Sequence, residues 1–204
     1  MNPTQINAAV IVLAAGNSAR MCRPKALLDW HGTPLIKHVL DTASAGGCGS
    51  ALVVLGNDSD SIRAGGLLEG VNILVNPDPS QGQVSSLKLA MQSLDFSTDC
   101  CVVWPVDCPL VRAADVRALI AAYEQWRASL MRVFIPTFGG KRGHPMLVDI
   151  GFRQPFMELG PGQSARTVID ANLTQVKEVH VDNPGVLVDV DTTAEYEAAL
   201  KSRL

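Results

Sequence analysis

The stretch AAVIVLAAGNSARMCRPK, residues 8–25, decides how the chain is read. Its first eight residues are apolar without interruption, the pattern of a strand covered on both faces of a mainly parallel sheet. A loop containing Gly16 follows at once, and then the cations Arg20 and Lys25. Backbone N–H groups at the carboxyl end of a first parallel strand point outward and can cradle phosphates. Gly16 lets a ligand approach the backbone closely. Neither familiar phosphate motif fits, because the P-loop's second glycine and Ser/Thr are missing and Gly16 stands alone in the loop. A loose G-x-G-x-x-A at 160–165 contains Pro161 and follows no strand, so it is set aside. The loop by itself leaves a phosphate site and an ordinary strand-to-helix turn equally open.

Outward from this strand, apolar runs at 8–13, 51–55, 71–75 and 100–106 read as strands. Between and after them, helix-period segments fall near 35–45, 59–68, 85–94 and 114–128. In the last, Val116, Leu119, Ile120 and Tyr123 recur at helical spacing and form one apolar stripe. This alternation predicts right-handed crossovers and a mainly parallel sheet with helices on both faces. Beyond residue 128 the rhythm changes. Segments 133–138 and 144–150 read as strands around Gly139-Gly140, followed by a short helix at 164–171. Strands at 176–181 and 186–190 and a last helix from Thr193 complete the chain. Antiparallel pairs are thus expected on a parallel half. No linker, low-complexity tract or repeat interrupts residues 1–204, so one α/β domain is expected.

Composition narrows the function classes. Hydrophobic residues are 47% of the 204 and charged ones 18%, which excludes a disordered chain. Seventeen basic and twenty acidic residues give a net charge of −3, so nucleic acid is not an expected partner. The longest apolar run, 8–15, falls far short of the ~20 residues of a bilayer span. It also lacks the basic lead-in of a signal peptide, so a cytoplasmic protein without a membrane partner is expected. Cys22, Cys48, Cys100, Cys101 and Cys108 are odd in number and form no C-x-x-C pair. Free thiols in a reducing compartment fit this pattern.

Leu13, Ala14, Ala15, Gly16, Ser18, Arg20, Met21 and Lys25 spell L-A-A-G-x-S-x-R-M-x-x-x-K. In order follow Asn76-Pro77 with Gly82 and Ser86-Leu87, then Asp107-x-Pro109-Leu110. Arg142-Gly143-His144-Pro145 and Asp189-Val190-Asp191-Thr192 complete the set. This series resembles the MobA-like NTP transferases, nucleotidyltransferases of GT-A-like fold that attach CMP or GMP to molybdopterin. The resemblance spans essentially the whole chain, and the last two motifs look more like the cytidylyl-type branch. Cys22 stands where the pattern has a glycine, and segment 161–166 keeps Ala165 and Arg166 but lacks the family's acid.

The resemblance implies that an acceptor's phosphate oxygen attacks the α-phosphorus of an NTP, CTP being favoured, and pyrophosphate leaves. It assigns the nucleotide to a half covering about residues 1–110, at Leu13, Ala14, Ala15, Gly16, Ser18, Arg20, Lys25, Asn76, Gly82 and Ser86. Lys25 would hold the α-phosphate and Arg20 the leaving β- and γ-phosphates, with Asp107 as the third catalytic residue. Mg²⁺ is the implied cofactor, with Asp107 and Asp191 as ligands, since it favours a few carboxylates plus phosphate oxygens. Arg142 and His144 would contact the acceptor from a half covering about 130–192. The implied acceptor is molybdopterin or its metal-loaded form, and a molybdoenzyme is an implied recipient of the product. Two rivals stand beside this reading: transfer to a sugar or alditol phosphate, and a non-catalytic carrier of the nucleotide form of the cofactor.

Simpler roles exist for the same residues. Asp107 can initiate a turn before Cys108-Pro109. Asp189 or Asp191 can cap the last helix, as can Thr192 or Thr193. The two carboxylates are two residues apart and share one side of an extended segment, so spacing does not choose between them. His144 can be a solvated turn residue. Cys22, Cys100, Cys101 and Cys108 suit buried apolar positions, and Trp104 reads as core rather than a stacking platform.

Overall fold

In a computed structural model, which describes residues 6–16, 21, 23–64, 66–95, 97–160 and 162–202, the opening apolar run is β1 (Ala8–Ala14), buried at every position. A small hairpin, β2 (Asp29–Trp30) and β3 (Thr33–Pro34), leads into α1 (Leu35–Ala45). Then come β4 (Ser50–Leu55), α2 (Ser59–Arg63), β5 (Asn72–Val75), α3 (Gln83–Ser93), β6 (Cys100–Pro105) and α4 (Ala113–Trp126). The remainder forms β7 (Val133–Phe138), β8 (Lys141–Arg142), β9 (Met146–Asp149), α5 (Gln154–Met157), α6 (Ala165–Ala171), β10 (Val176–His180) and α7 (Thr193–Lys201).

The main sheet runs β10-β7-β9-β6-β1-β4-β5, with β8 paired to β7. Strands β6, β1, β4 and β5 are mutually parallel. Strand β9 is antiparallel to both β6 and β7, and β10 returns parallel to β7. The result is a single α/β domain with a mixed, mainly parallel sheet. Side chains of β1 alternate between two cores. Ala8, Val10 and Val12 pack with Leu35 and Val39 of α1 and Val116 and Leu119 of α4. Ala9, Ile11 and Leu13 pack with Leu87 and Met91 of α3, Phe156 of α5 and Val168 of α6. Both faces are covered, which is why the strand has no polar alternation. Trp104 is core, fully buried with its indole N–H donating to the Cys108 carbonyl at 3.1 Å. Cys48, Cys100, Cys101 and Cys108 are buried and unbridged, and burial pushes the Cys48 and Cys101 thiols up to about 12. Among the described residues no helix is long and apolar enough to cross a membrane.

Besides the short β8 and α5, three local features differ from the sequence expectation. Helix α2 stops at Arg63 rather than 68, because Gly66 takes φ +66°, a stop that glycine permits. Residues 186–190 are not a strand. The alternating valines there are overruled by Asn183-Pro184-Gly185, which starts a 3₁₀ turn over Pro184–Leu187. Asn183 is buried; its Oδ1 accepts from Gly185 N at 2.9 Å, and its amide donates to Leu110 O and to Asp115 Oδ2. The β2–β3 hairpin was not anticipated either. His31-Gly32 supplies its turn with φ of 54° and 86°, the paired positive values of a two-residue hairpin loop.

Gly46, just past α1, has ordinary helical φ/ψ, but a Cβ there would lie 2.5 Å from Cβ of Val116 on α4. Gly46→Ala is therefore expected to cost about 1–3 kcal/mol by forcing the two helices apart. Urea unfolding of the variant measures this, and unchanged stability would mean that α1 and α4 separate freely.

Candidate active site

Strands β6, β1, β4 and β5 end at one edge of the sheet, where ligands of open α/β folds bind. The turns that follow them bring Gly16, Asp58, Asn76 and Asp107 to that edge. Backbone bonds hold the turns in register: Val106 N donates to Leu13 O at 3.1 Å and Asn76 N to Leu55 O at 2.8 Å. A cleft of about 300 Å³ opens over this edge, lined by Gly16, Lys25, Gly82, Ser86, Asp107 and Asp191 among others. Leu13, Ala14 and Ala15 also line it.

Lys25 begins a 3₁₀ turn (Lys25–Leu27) behind Pro24. Its ammonium donates to Asp107 Oδ2 at 2.9 Å and to Asp191 Oδ1 at 2.6 Å. These partners lie 82 and 166 residues away in sequence. Desolvation is the largest single influence on Lys25 and pulls its pKa down. The hydrogen bond to Asp191 and the charge and bond of Asp107 together outweigh it, so the net shift is upward from 10.5. Asp191 is carried here by a backbone bond from Val190 N to Asp107 O at 2.8 Å. Thr192 and Glu195 form the capping box of α7, so the cap role falls to Thr192. Asp189 is exposed, whereas Asp191 bonds Lys25.

Two carboxylate oxygens that already converge on one ammonium offer the hard donors a divalent cation prefers. Among the described residues, no group of three or more His, Cys, Asp or Glu could hold a metal. Asp107 and Asp191 would therefore share such an ion with ligand oxygens and water.

The other residues sort differently. Gly82, at φ +86°, is the N-cap of α3 and gives it no side-chain cap. Asn76 is buried and braces this wall. Its amide donates to Ser85 Oγ at 2.8 Å and Ser86 Oγ at 2.9 Å, while its Oδ1 accepts from Asp78 N. His144 retains an exposed surface, but the protein crowding its ring disfavours the imidazolium and lowers its pKa from 6.5. The charges of Asp107 and Asp189 reach it and pull in the opposite direction. Gly143 permits this placement, since a Cβ there would lie 2.3 Å from Val186 O, the oxygen that accepts from His144 N at 2.7 Å. Arg142 is exposed and its Nε donates to Glu178 Oε1 at 2.8 Å. Ser18, Arg20 and Cys22 lie outside the described residues. Sequence reasoning passed over Asp58 and Gln83, which also line the cleft. Asp58 was legible only as the turn residue after a parallel strand.

Residues 10–178 match the MobA-like NTP transferase domain. The chain belongs to that family. It is similar to nicotine blue oxidoreductase of Paenarthrobacter nicotinovorans, 30% identical over 91% of this chain and 92% of that protein. It is 33% identical to the bifunctional protein GlmU of Burkholderia thailandensis over 65% of this chain, but spans only 30% of GlmU's length. Among solved structures it resembles Rv0371c of Mycobacterium tuberculosis H37Rv, with a TM-score of 0.86 and 26% identity over 98% of this chain and 100% of that one. A manganese complex of Rv0371c gives a TM-score of 0.81 at 25% identity, covering 96% of this chain and 99% of that one. The family supports a nucleotidyltransferase.

A raised Lys25 pKa means that the ion pair's stabilisation is intact below the unfolded value of 10.5 and lost as pH rises through the folded value. Lys25→Met should thus unfold more easily than wild type at about pH 8, and the gap should narrow at about pH 11. Urea titrations at both pH values check this. A gap that is constant with pH would mean that the bridges contribute nothing through charge.

Proposed function

We propose that this protein is a Mg²⁺-dependent nucleotidyltransferase that moves CMP from CTP onto the phosphate of a molybdopterin-type acceptor and releases pyrophosphate. The observation that carries the reading is Lys25 held between Asp107 and Asp191 at the carboxyl edge of the sheet, in a chain of this family. The described charged residues lining the cleft are one lysine and three aspartates. A triphosphate does not enter such a field unaccompanied, so a cation must come with it. A bound Mg²⁺ would neutralise phosphate charge and polarise the phosphate oxygens.

Asp107 and Asp191 would hold that ion in this reading, leaving the Lys25 ammonium to donate to the α-phosphate oxygens. There the ammonium opposes the negative charge that grows as the acceptor oxygen bonds to the α-phosphorus and the bridging bond to pyrophosphate breaks. Arg20, which the family resemblance assigns to the β- and γ-phosphates, would take the departing pyrophosphate. His144 approaches from the acceptor half. Its lowered pKa keeps the imidazole neutral near pH 7, so it positions the acceptor by hydrogen bonding and not by charge. In this reading about residues 1–110 hold the nucleotide and about 130–192 the acceptor.

A second reading, an oxidoreductase, is favoured by one observation: the end-to-end similarity to nicotine blue oxidoreductase. Pyrophosphate release with each of four NTPs, with and without molybdopterin, separates the two when run beside NADH and NADPH oxidation. Acceptor-dependent pyrophosphate supports transfer; reduced-cofactor oxidation without it overturns transfer.

Asp107→Asn should keep the fold and lower kcat by about 100-fold or more, the scale of losing one preorganised charge partner. Near-normal kcat at saturating Mg²⁺ would remove Asp107 from the site. Lys25→Ala should lower kcat more than NTP affinity, and Arg20→Ala the reverse, because the β- and γ-phosphates are already charged in the ground state. For the acceptor side, His144→Ala should raise acceptor KM and leave NTP affinity nearly unchanged. Paired titrations of both ligands test that division, and loss of NTP affinity alone would place His144 on the wrong side.

A further inference from the structure

Asp58 lines the cleft, and among the described residues its side chain bonds nothing in the fold around it. It is the N-cap residue of α2, yet its side chain makes no cap bond. The capping work falls to its carbonyl, which accepts from Ile62 N at 3.1 Å and Ser61 Oγ at 2.8 Å. Among the described residues, the Asp58 carboxylate makes no hydrogen bond or ion pair. Its backbone is nevertheless fixed. Gly56, two residues before it, lies so close to the β1 loop that a Cβ there would meet Ala15 O at 2.7 Å.

Position limits what this carboxylate can meet. Asp58 follows β4 and Asp107 follows β6, with β1 between them. Two strand spacings put the two turns about 10 Å apart, roughly the reach from a nucleotide's α-phosphate across the ribose to its base. An anion at that end repels phosphate, so the triphosphate lies toward Lys25 and the base lies over β4. Helices α2 and α3 pack into the cores on opposite faces of the sheet, through Ile62 and Leu87 respectively. Asp58 and the α3 N-terminus therefore stand on opposite lips of the cleft. One lip presents a bare acceptor, and the other presents the first N–H groups of an eleven-residue helix without a side-chain cap.

Resting on the nucleotide reading above, we infer that Asp58 selects the base by accepting from an exocyclic amino group, favouring cytosine over uracil. Cytosine offers its N4 amino group to the carboxylate and its O2 and N3 acceptors to the donors of α3. Uracil places the O4 carbonyl against the carboxylate, lone pair against charge. A single such edge contact discriminates between bases by about 10- to 100-fold.

Equilibrium titration of CTP and UTP in the presence of Mg²⁺, on wild type and Asp58→Asn, tests this. Wild type should prefer CTP by at least about tenfold. In Asp58→Asn, whose amide can also donate to O4, that ratio should collapse toward unity, with an unchanged melting temperature. A CTP preference that survives in Asp58→Asn overturns the inference, as does wild-type binding of CTP and UTP with equal affinity, while either leaves the nucleotide reading standing. Binding of neither triphosphate overturns both together.

Discussion

The structure turns on one ammonium shared by two carboxylates. Lys25, Asp107 and Asp191 come from three distant segments, and burying any of these charges without the others would be costly. The ion pairs therefore demand that β6, the 3₁₀ turn at Lys25 and the segment before α7 meet at one point. Backbone contacts make that meeting possible. Val190 N bonds to Asp107 O. The neighbouring Pro184–Leu187 turn fits because Gly185 leaves room for Leu110 O, which a Cβ would approach to 2.5 Å. Asn183 then ties this turn to Leu110 and to Asp115 of α4. The same three groups that stabilise the sheet edge by pairing are the groups that a divalent cation and a phosphate would re-pair. In the proposed function, stability and chemistry would thus draw on one set of charges.

Periodicity made the parallel half legible because β1 and β6 are buried on both faces and carry no competing signal. It failed where local turn chemistry opposed it. Val186, Val188 and Val190 alternate like a strand, but Pro184 starts a 3₁₀ turn and Asn183 caps it. The His31-Gly32 hairpin rests on two positive φ values, a preference better signalled by Asn-Gly than by His-Gly. The end of α2 was masked by Leu67 and Leu68, which continue the apolar pattern beyond the glycines.

At the site, spacing alone carried almost nothing. No local pattern links residues 25, 107 and 191. A family resemblance assigned them to one site, and in the structure the Lys25 ammonium bonds both carboxylates. Spacing did not separate Asp189 from Asp191, and only the resemblance favoured Asp191; in the structure Asp191 is the one that bonds Lys25. Thr192 resolved the competing cap role by taking it with Glu195. Asn76, assigned to the nucleotide by the resemblance, is buried and donates to Ser85 and Ser86. Sequence cannot distinguish a side chain that faces the cleft from one that holds the wall behind it.

Strand direction accounts for the two-sided character of the cleft. In the parallel half, each strand sends its carboxyl end to the active edge, so Gly16, Asp58 and Asp107 all follow strands. Strand β9 runs the opposite way beside β6, with Met146 opposite Val103. Its amino end is therefore the end that reaches this edge, and the residues just before it, Gly143, His144 and Pro145, arrive there. Reversing one strand brings a second set of loops to the same edge without lengthening the sheet. Asp107 on β6 lies at the seam, with β1 and β4 on one side and β9 on the other. Asp107 at such a seam stands within reach of both sets of loops, and its charge pulls on His144 from across it.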